Sequence, residues 1–69
     1  MRKILLYPGE DGWWVAECPS LPGTVTQGRT KEEATRNIRE AIDLMVSVLQ
    51  EHGEAIPADY LDAAELVTV

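Results

Sequence analysis

The chain has 69 residues, 45% of them hydrophobic and 26% charged, the makeup of one small folded domain with no room for a second. A single cysteine, Cys18, excludes an internal disulfide, and a single histidine with no cysteine pair excludes a standard structural zinc site. A net charge of −6 opposes nucleic-acid binding by this chain alone, because attraction to phosphate supplies nearly all non-specific affinity.

A domain this small buries only about 60% of the surface its unfolded chain exposes, so its core is marginal. With disulfide and metal excluded, self-association is the remaining remedy, and a homodimer or higher oligomer is expected. No run approaches the ~20 apolar residues that span a bilayer. The N-terminal apolar run covers only residues 4–7 before Pro8-Gly9-Glu10-Asp11, too short for an export signal. Together with a reduced thiol, this points to the cytoplasm.

Residues 2–7 read as a first strand, and 8–12 as a turn in which Gly9 and Gly12 supply positive φ. Residues 13–18, rich in aromatic and branched side chains, read as a second strand closing a hairpin. Two prolines make 19–23 a loop, and 24–27 are a short third strand stopped by Gly28.

Thr30-Lys31-Glu32-Glu33 is a capping box, with Thr30 as N-cap and Glu33 reaching back to the Thr30 amide. From Ala34 to Leu49, apolar residues recur at helical spacing, and Gly53 ends the helix as its C′ residue. The apolar arc spans about 200°, against the ~100° a core-facing stripe needs. Leu44 and Val46 lie on its opposite flanks, so one side of the helix is expected to meet something besides its own sheet. Residues 54–64 are a return loop, and Leu66-Val67-Thr68-Val69 a last strand. The fold class is α+β, with order βββ-α-β and an antiparallel sheet carrying one helix on one face.

One helix covers one face of a sheet. Trp14, Ala16 and Cys18 are placed under it with Ile4 and Leu6. Leu5, Tyr7, Trp13 and Val15 then form the opposite face, too apolar for water and expected to be an interface. The alternative is that Trp13 caps the hairpin while the C-terminal segment shields Leu5 and Val15.

Catalytic machinery is not expected. Ser20 and Ser47 lack a nucleophile-elbow context. Cys18 sits between Glu17 and Pro19 and reads as a small core residue. His52, in the last helical turn on its apolar side, reads as a satisfied, dipole-stabilised histidine. The glycines have no phosphate-loop spacing, and no carboxylate cluster or ligand set suggests a cofactor or metal. All six basic residues lie at or before Arg39, and seven acidic residues follow it. That acidic half, with Asp59, Asp62 and Glu65 in the return loop and at its end, suits electrostatic steering of a basic partner.

The stretch Asp11-Gly12-Trp13-Trp14-Val15-Ala16-Glu17-Cys18-Pro19-Ser20-Leu21-Pro22-Gly23, then Gly28, Thr30-Lys31-Glu32-Glu33-Ala34, Asn37 and Glu40-Ala41-Ile42, resembles the HicB antitoxin family. Gly53-Glu54-Ala55-Ile56-Pro57 resembles that family's post-helix turn. The resemblance covers essentially the whole chain and implies a partial ribonuclease H-like fold without the acidic catalytic cluster. It also implies a partner, HicA, a small basic messenger-RNA-cleaving toxin that the antitoxin masks. Many family members carry a C-terminal DNA-binding domain. Here the last strand is followed by nothing, so a single domain over 1–69 without DNA autoregulation is expected. An orphan, homo-oligomeric regulatory or scaffold domain with no toxin is the alternative.

Overall fold

The computed structural model describes residues 2–69, apart from the side chain of Asp62. Three strands, β1 (Leu5–Pro8), β2 (Trp14–Glu17) and β3 (Val25–Gly28), precede one long helix, α1 (Lys31–Glu51). The strands form an antiparallel sheet in the order β1-β2-β3, so the fold is α+β with an open sheet.

The first hairpin closes through Trp13, whose carbonyl accepts the Gly9 N–H at 2.7 Å and whose N–H donates to Glu10 O at 3.1 Å. Those bonds occupy the Trp13 backbone, so β2 starts one residue later than the sequence suggests. Positive φ falls on Asp11 (55°) and Gly12 (80°), not on Gly9; aspartate tolerates the left-handed region well enough to take the place assigned to a glycine. The β2–β3 connection is tightly knit, with Leu21 N–H to Cys18 O, Thr24 N–H to Leu21 O and Cys18 N–H to Thr24 O, all at 3.0–3.1 Å. This turns Leu21 into the core.

At the start of α1, the Glu33 N–H donates to Thr30 Oγ1 at 3.0 Å, as a capping residue requires. The Glu33 carboxylate takes the Arg29 N–H at 3.4 Å, one residue before the amide expected for it. The helix ends in a Schellman arrangement: Gly53 (φ 67°) donates to Gln50 O at 3.1 Å and Glu54 to Leu49 O at 2.9 Å. His52 is the cap residue rather than part of the helix. Its ring is exposed, 3.9 Å from the Glu54 carboxylate, and not on the apolar side as expected.

Ala16, Cys18, Leu21, Ala34 and Ile38 are buried, and Ile4, Trp14, Ile42, Met45, Val46 and Leu49 pack around them half-buried. Leu6, expected beneath the helix, is at the edge strand and stays partly open to solvent. The expected last strand does not form: residues 64–69 carry no regular structure, and Leu66 and Val69 are wholly exposed. Strand propensity reflects fit to a half-buried pleated surface, and in its own chain the segment stands away from the sheet.

Candidate protein interface

The pairing register sorts the side chains of the sheet. Leu6, Ala16 and Thr26 lie in one cross-strand row, and Pro8, Trp14 and Gly28 in another, both facing α1. Leu5, Glu17 and Val25 form a row on the outer face, as do Tyr7, Val15 and Gln27. Directly opposite residues in an antiparallel pair share a face and are close neighbours. Leu5 is 47% exposed and Val25 51%, on the two outer strands with Glu17 between them, so this face is open and sets apolar side chains around a carboxylate. Val25 escaped the sequence reading, although it stands two positions from Gln27 in the period-two pattern that sorted β2.

The Tyr7 hydroxyl donates to Glu17 Oε2 at 2.8 Å. That hydrogen bond to the carboxylate, aided by slight desolvation and the negative charge, raises the tyrosine pKa above its ordinary value. The pair spans the outer face and holds both side chains flat upon it. Trp13 stands at the hairpin end with the Arg29 guanidinium 4.7 Å from its ring centroid. On the helix side, Lys31 Nζ lies 4.8 Å from the Trp14 ring. Leu5, Tyr7 and Val15 thus share one face with Trp13 at its end. Leu44 belongs to a separate flank of α1, 67% exposed, with Val48 one turn on. Val46 packs against the core instead.

The acidic residues assigned to steering divide. Glu65 is exposed, and the side chain of Asp62 lies outside the described residues. Asp59 is half-buried and structural: its carboxylate accepts the Lys3 N–H at 2.8 Å and the Leu61 N–H at 3.5 Å. Next to it, the Tyr60 hydroxyl donates to Pro19 O at 2.9 Å, and Arg2 Nη1 donates to Ser20 Oγ at 3.0 Å. The return loop is thereby fastened to the start of β1 and to the β2–β3 connection.

The Lys3 amide, first among several causes, holds the Asp59 carboxyl below its ordinary pKa. A depressed carboxyl pKa contributes stability that is present above the unfolded-state value, near ~3.9, and is lost as pH falls through the folded-state value. The Lys3 amide resonance is expected to titrate in NMR with a midpoint below the ordinary aspartate range. Asp59→Asn should abolish that titration while leaving the α1 amides unchanged. A Lys3 amide insensitive to acid in the wild type would show that this contact does not anchor the loop.

Among the described residues, no three His, Cys, Asp or Glu side chains gather closely enough to hold a metal ion. Cys18 is buried with its Sγ 3.5 Å from Ser20 Oγ. No described helix is long and apolar enough to cross a membrane. Exposed apolar side chains lie on the outer sheet face, at Leu5 and Val25, and on the α1 flank, at Leu44.

The sequence matches a family model described as the HicB-like antitoxin of bacterial toxin–antitoxin systems over residues 3–66. It is 46% identical to a UPF0150 protein of Thermoplasma acidophilum over 66 residues, 96% of this chain and 91% of that one. A UPF0150 protein of Archaeoglobus fulgidus is 40% identical over 55 residues, covering 77% of this chain and 80% of that one. One from Synechocystis is 33% identical over 63 residues, covering 91% and 86%.

Proposed function

Because the chain belongs to the HicB-like antitoxin family of bacterial toxin–antitoxin systems, we propose that it acts by binding rather than catalysis, masking a small basic HicA-type ribonuclease toxin in the cytoplasm. The observation that supports this reading is the outer sheet face, where exposed Leu5, Tyr7 and Val25 and half-buried Val15 stand around Glu17 and Gln27 with no element of the chain seen over them among the described residues. Exposed apolar side chains gathered on one face, bordered by polar ones, suit a protein partner. The acidic second half of the chain complements a basic partner, guiding encounter while the apolar contacts hold the complex.

The reading is tested with any small basic protein encoded beside this chain's gene. The complex should form, and messenger-RNA cleavage by the partner should stop at equimolar addition. Replacing Asp62 with Asn and Glu65 with Gln together should slow association and flatten its salt dependence, with dissociation unchanged, since steering charges act on the encounter and are screened within about 8 Å at physiological salt. Asp59 is kept, because its loss would release the loop. An unchanged association rate would remove the steering role, and no complex with the wild type would remove the masking role.

A second reading, a self-associating regulatory or scaffold domain without a toxin, draws on a different surface. The exposed Leu44–Val48 flank of α1 gives the domain an apolar surface away from the outer sheet face, one suited to a second copy. Dimers in sedimentation together with no binding to the neighbouring protein would favour it.

A further inference from the structure

We propose that residues 66–69 of one copy add a fourth strand to the free edge of β1 in a second copy, setting their branched side chains into the groove between that edge and α1. The inference rests on the self-association proposed above, places its contact at the edge of β1 in place of the Leu44–Val48 flank, and is independent of any toxin.

The backbone bonding pattern identifies which groups are free. Cys18 N–H bonds Thr24 O, and in an antiparallel ladder bonded and non-bonded pairs alternate. Counting along β2 and β3 from that pair turns the backbone groups of Val15, Glu17, Val25 and Gln27 away from the β2–β3 ladder. Val15 and Glu17 therefore bond Tyr7 and Leu5 on β1, and the N–H and C=O of Ile4 and Leu6 point out from the sheet.

The two edges differ. On β3, Asn37 Nδ2 donates to the outward Gln27 carbonyl at 2.9 Å, and the first turn of α1 presses against Gly28. On β1, the contact seen among the described residues is at its approach, where Asp59 accepts the Lys3 N–H. The run Ile4-Leu5-Leu6-Tyr7 carries none of the charges that usually blunt an edge.

At the approach to this edge lies a groove of about 590 Å³, lined by Arg2 and Ile4 just before β1 and by Ile38, Arg39, Ile42 and Asp43 of α1. The occupant fits in length, pattern and charge. Leu66-Val67-Thr68-Val69 is rich in strand-forming residues, and its four residues extended span about 13 Å, matching the four of β1. With Val67 and Val69 turned into the groove, Leu66 and Thr68 extend the outer face beside Leu5 and Tyr7. Glu65 leads the segment toward the two arginines, and no basic residue follows Arg39.

The donor is a second chain because, in its own chain, the segment stands away from the sheet. Asp59 is fastened to Lys3 at the approach to β1 and Tyr60 to Pro19 in the β2–β3 connection, and Leu66 and Val69 beyond them are wholly exposed. A two-fold exchange places both segments at once and closes the assembly.

The test uses the full chain with Cys18→Ala. One preparation carries Leu6→Cys, another Val67→Cys, and the two are mixed and treated with a short bis-maleimide. A covalent product of two chains, twice 7.7 kDa, is expected only from the mixture. In parallel, a chain ending at Glu65 should sediment as a monomer with its helical signal intact. A chain carrying both Leu6→Cys and Val67→Cys that links within itself at any dilution would overturn the proposal in favour of pairing in its own sheet. A truncated chain that stays dimeric, with no product from the mixture, would overturn the exchange and leave self-association standing. A wild-type chain that sediments as a 7.7 kDa species would remove both.

Discussion

Gly28→Ala is expected to destabilise the domain by about 3 kcal/mol, at the upper end of what overpacking a filled site costs. Gly28 is buried at the end of β3, opposite Trp14. A Cβ there would lie 2.5 Å from the Ala34 N, 2.9 Å from the Glu33 carbonyl carbon and 3.0 Å from Ala34 Cα. All three are backbone atoms of the first helical turn, so no side chain can rotate aside. Either β3 or the helix start must move. Moving the helix start strains the Thr30 cap and the Ala34 N–H to Thr30 O bond of 3.0 Å and lifts Ala34 out of the core. Gly12→Ala is the control: its Cβ would meet nothing within 4 Å, and only the φ of 80° opposes it, for about 1 kcal/mol. Urea unfolding of both variants checks this. A smaller loss at position 28 than at position 12 would mean the strand and helix do not approach as described.

The adjacent tryptophans should part company in the same way. Trp14 packs against the core on the helix side, and Trp14→Ala is expected to cost about 3 kcal/mol of monomer stability, as large aromatic truncations do. Trp13 sits at the hairpin end, and its stacking with Arg29 at 4.7 Å is worth only about 0.5–1 kcal/mol where solvent reaches it. Trp13→Ala should therefore spare the monomer and instead weaken the complex with the basic partner by about 2 kcal/mol, the loss typical of an aromatic anchor. Urea midpoints and binding titrations on both variants separate the effects, and swapped results would reverse the two faces.

Local rules made the helix legible. Thr30 as N-cap, the spacing from Ala34 to Leu49, and Gly53 each act through neighbouring backbone, and each is found in its expected place, while the Glu33 carboxylate takes the Arg29 N–H in place of the Thr30 amide. Alternation along β2 likewise sorted the sheet, because a side chain's face depends only on its parity. Longer-range effects were not legible. Leu21 enters the core because three backbone bonds fold the proline-rich connection inward, which no period records. Asp59 looked like surface charge because its partner, Lys3, is 56 residues away. His52 continued the helical count on paper, but the chain turns into its glycine cap there and carries the ring to solvent. The strand-like pattern at 66–69 states what the segment could pair with, not whether its own sheet provides it.

The order of the strands in the sheet, β1-β2-β3, is also their order along the chain, and α1 begins two residues after β3. Each new element meets the one just formed, so no long loop must close before a contact is rewarded, and domains of such low contact order fold quickly. The sheet and helix need nothing beyond Glu54 to complete their hydrogen bonding. Residues 66–69 stand outside that closed unit, and their pairing with a second copy, as proposed above, would proceed at a rate set by how many chains are present.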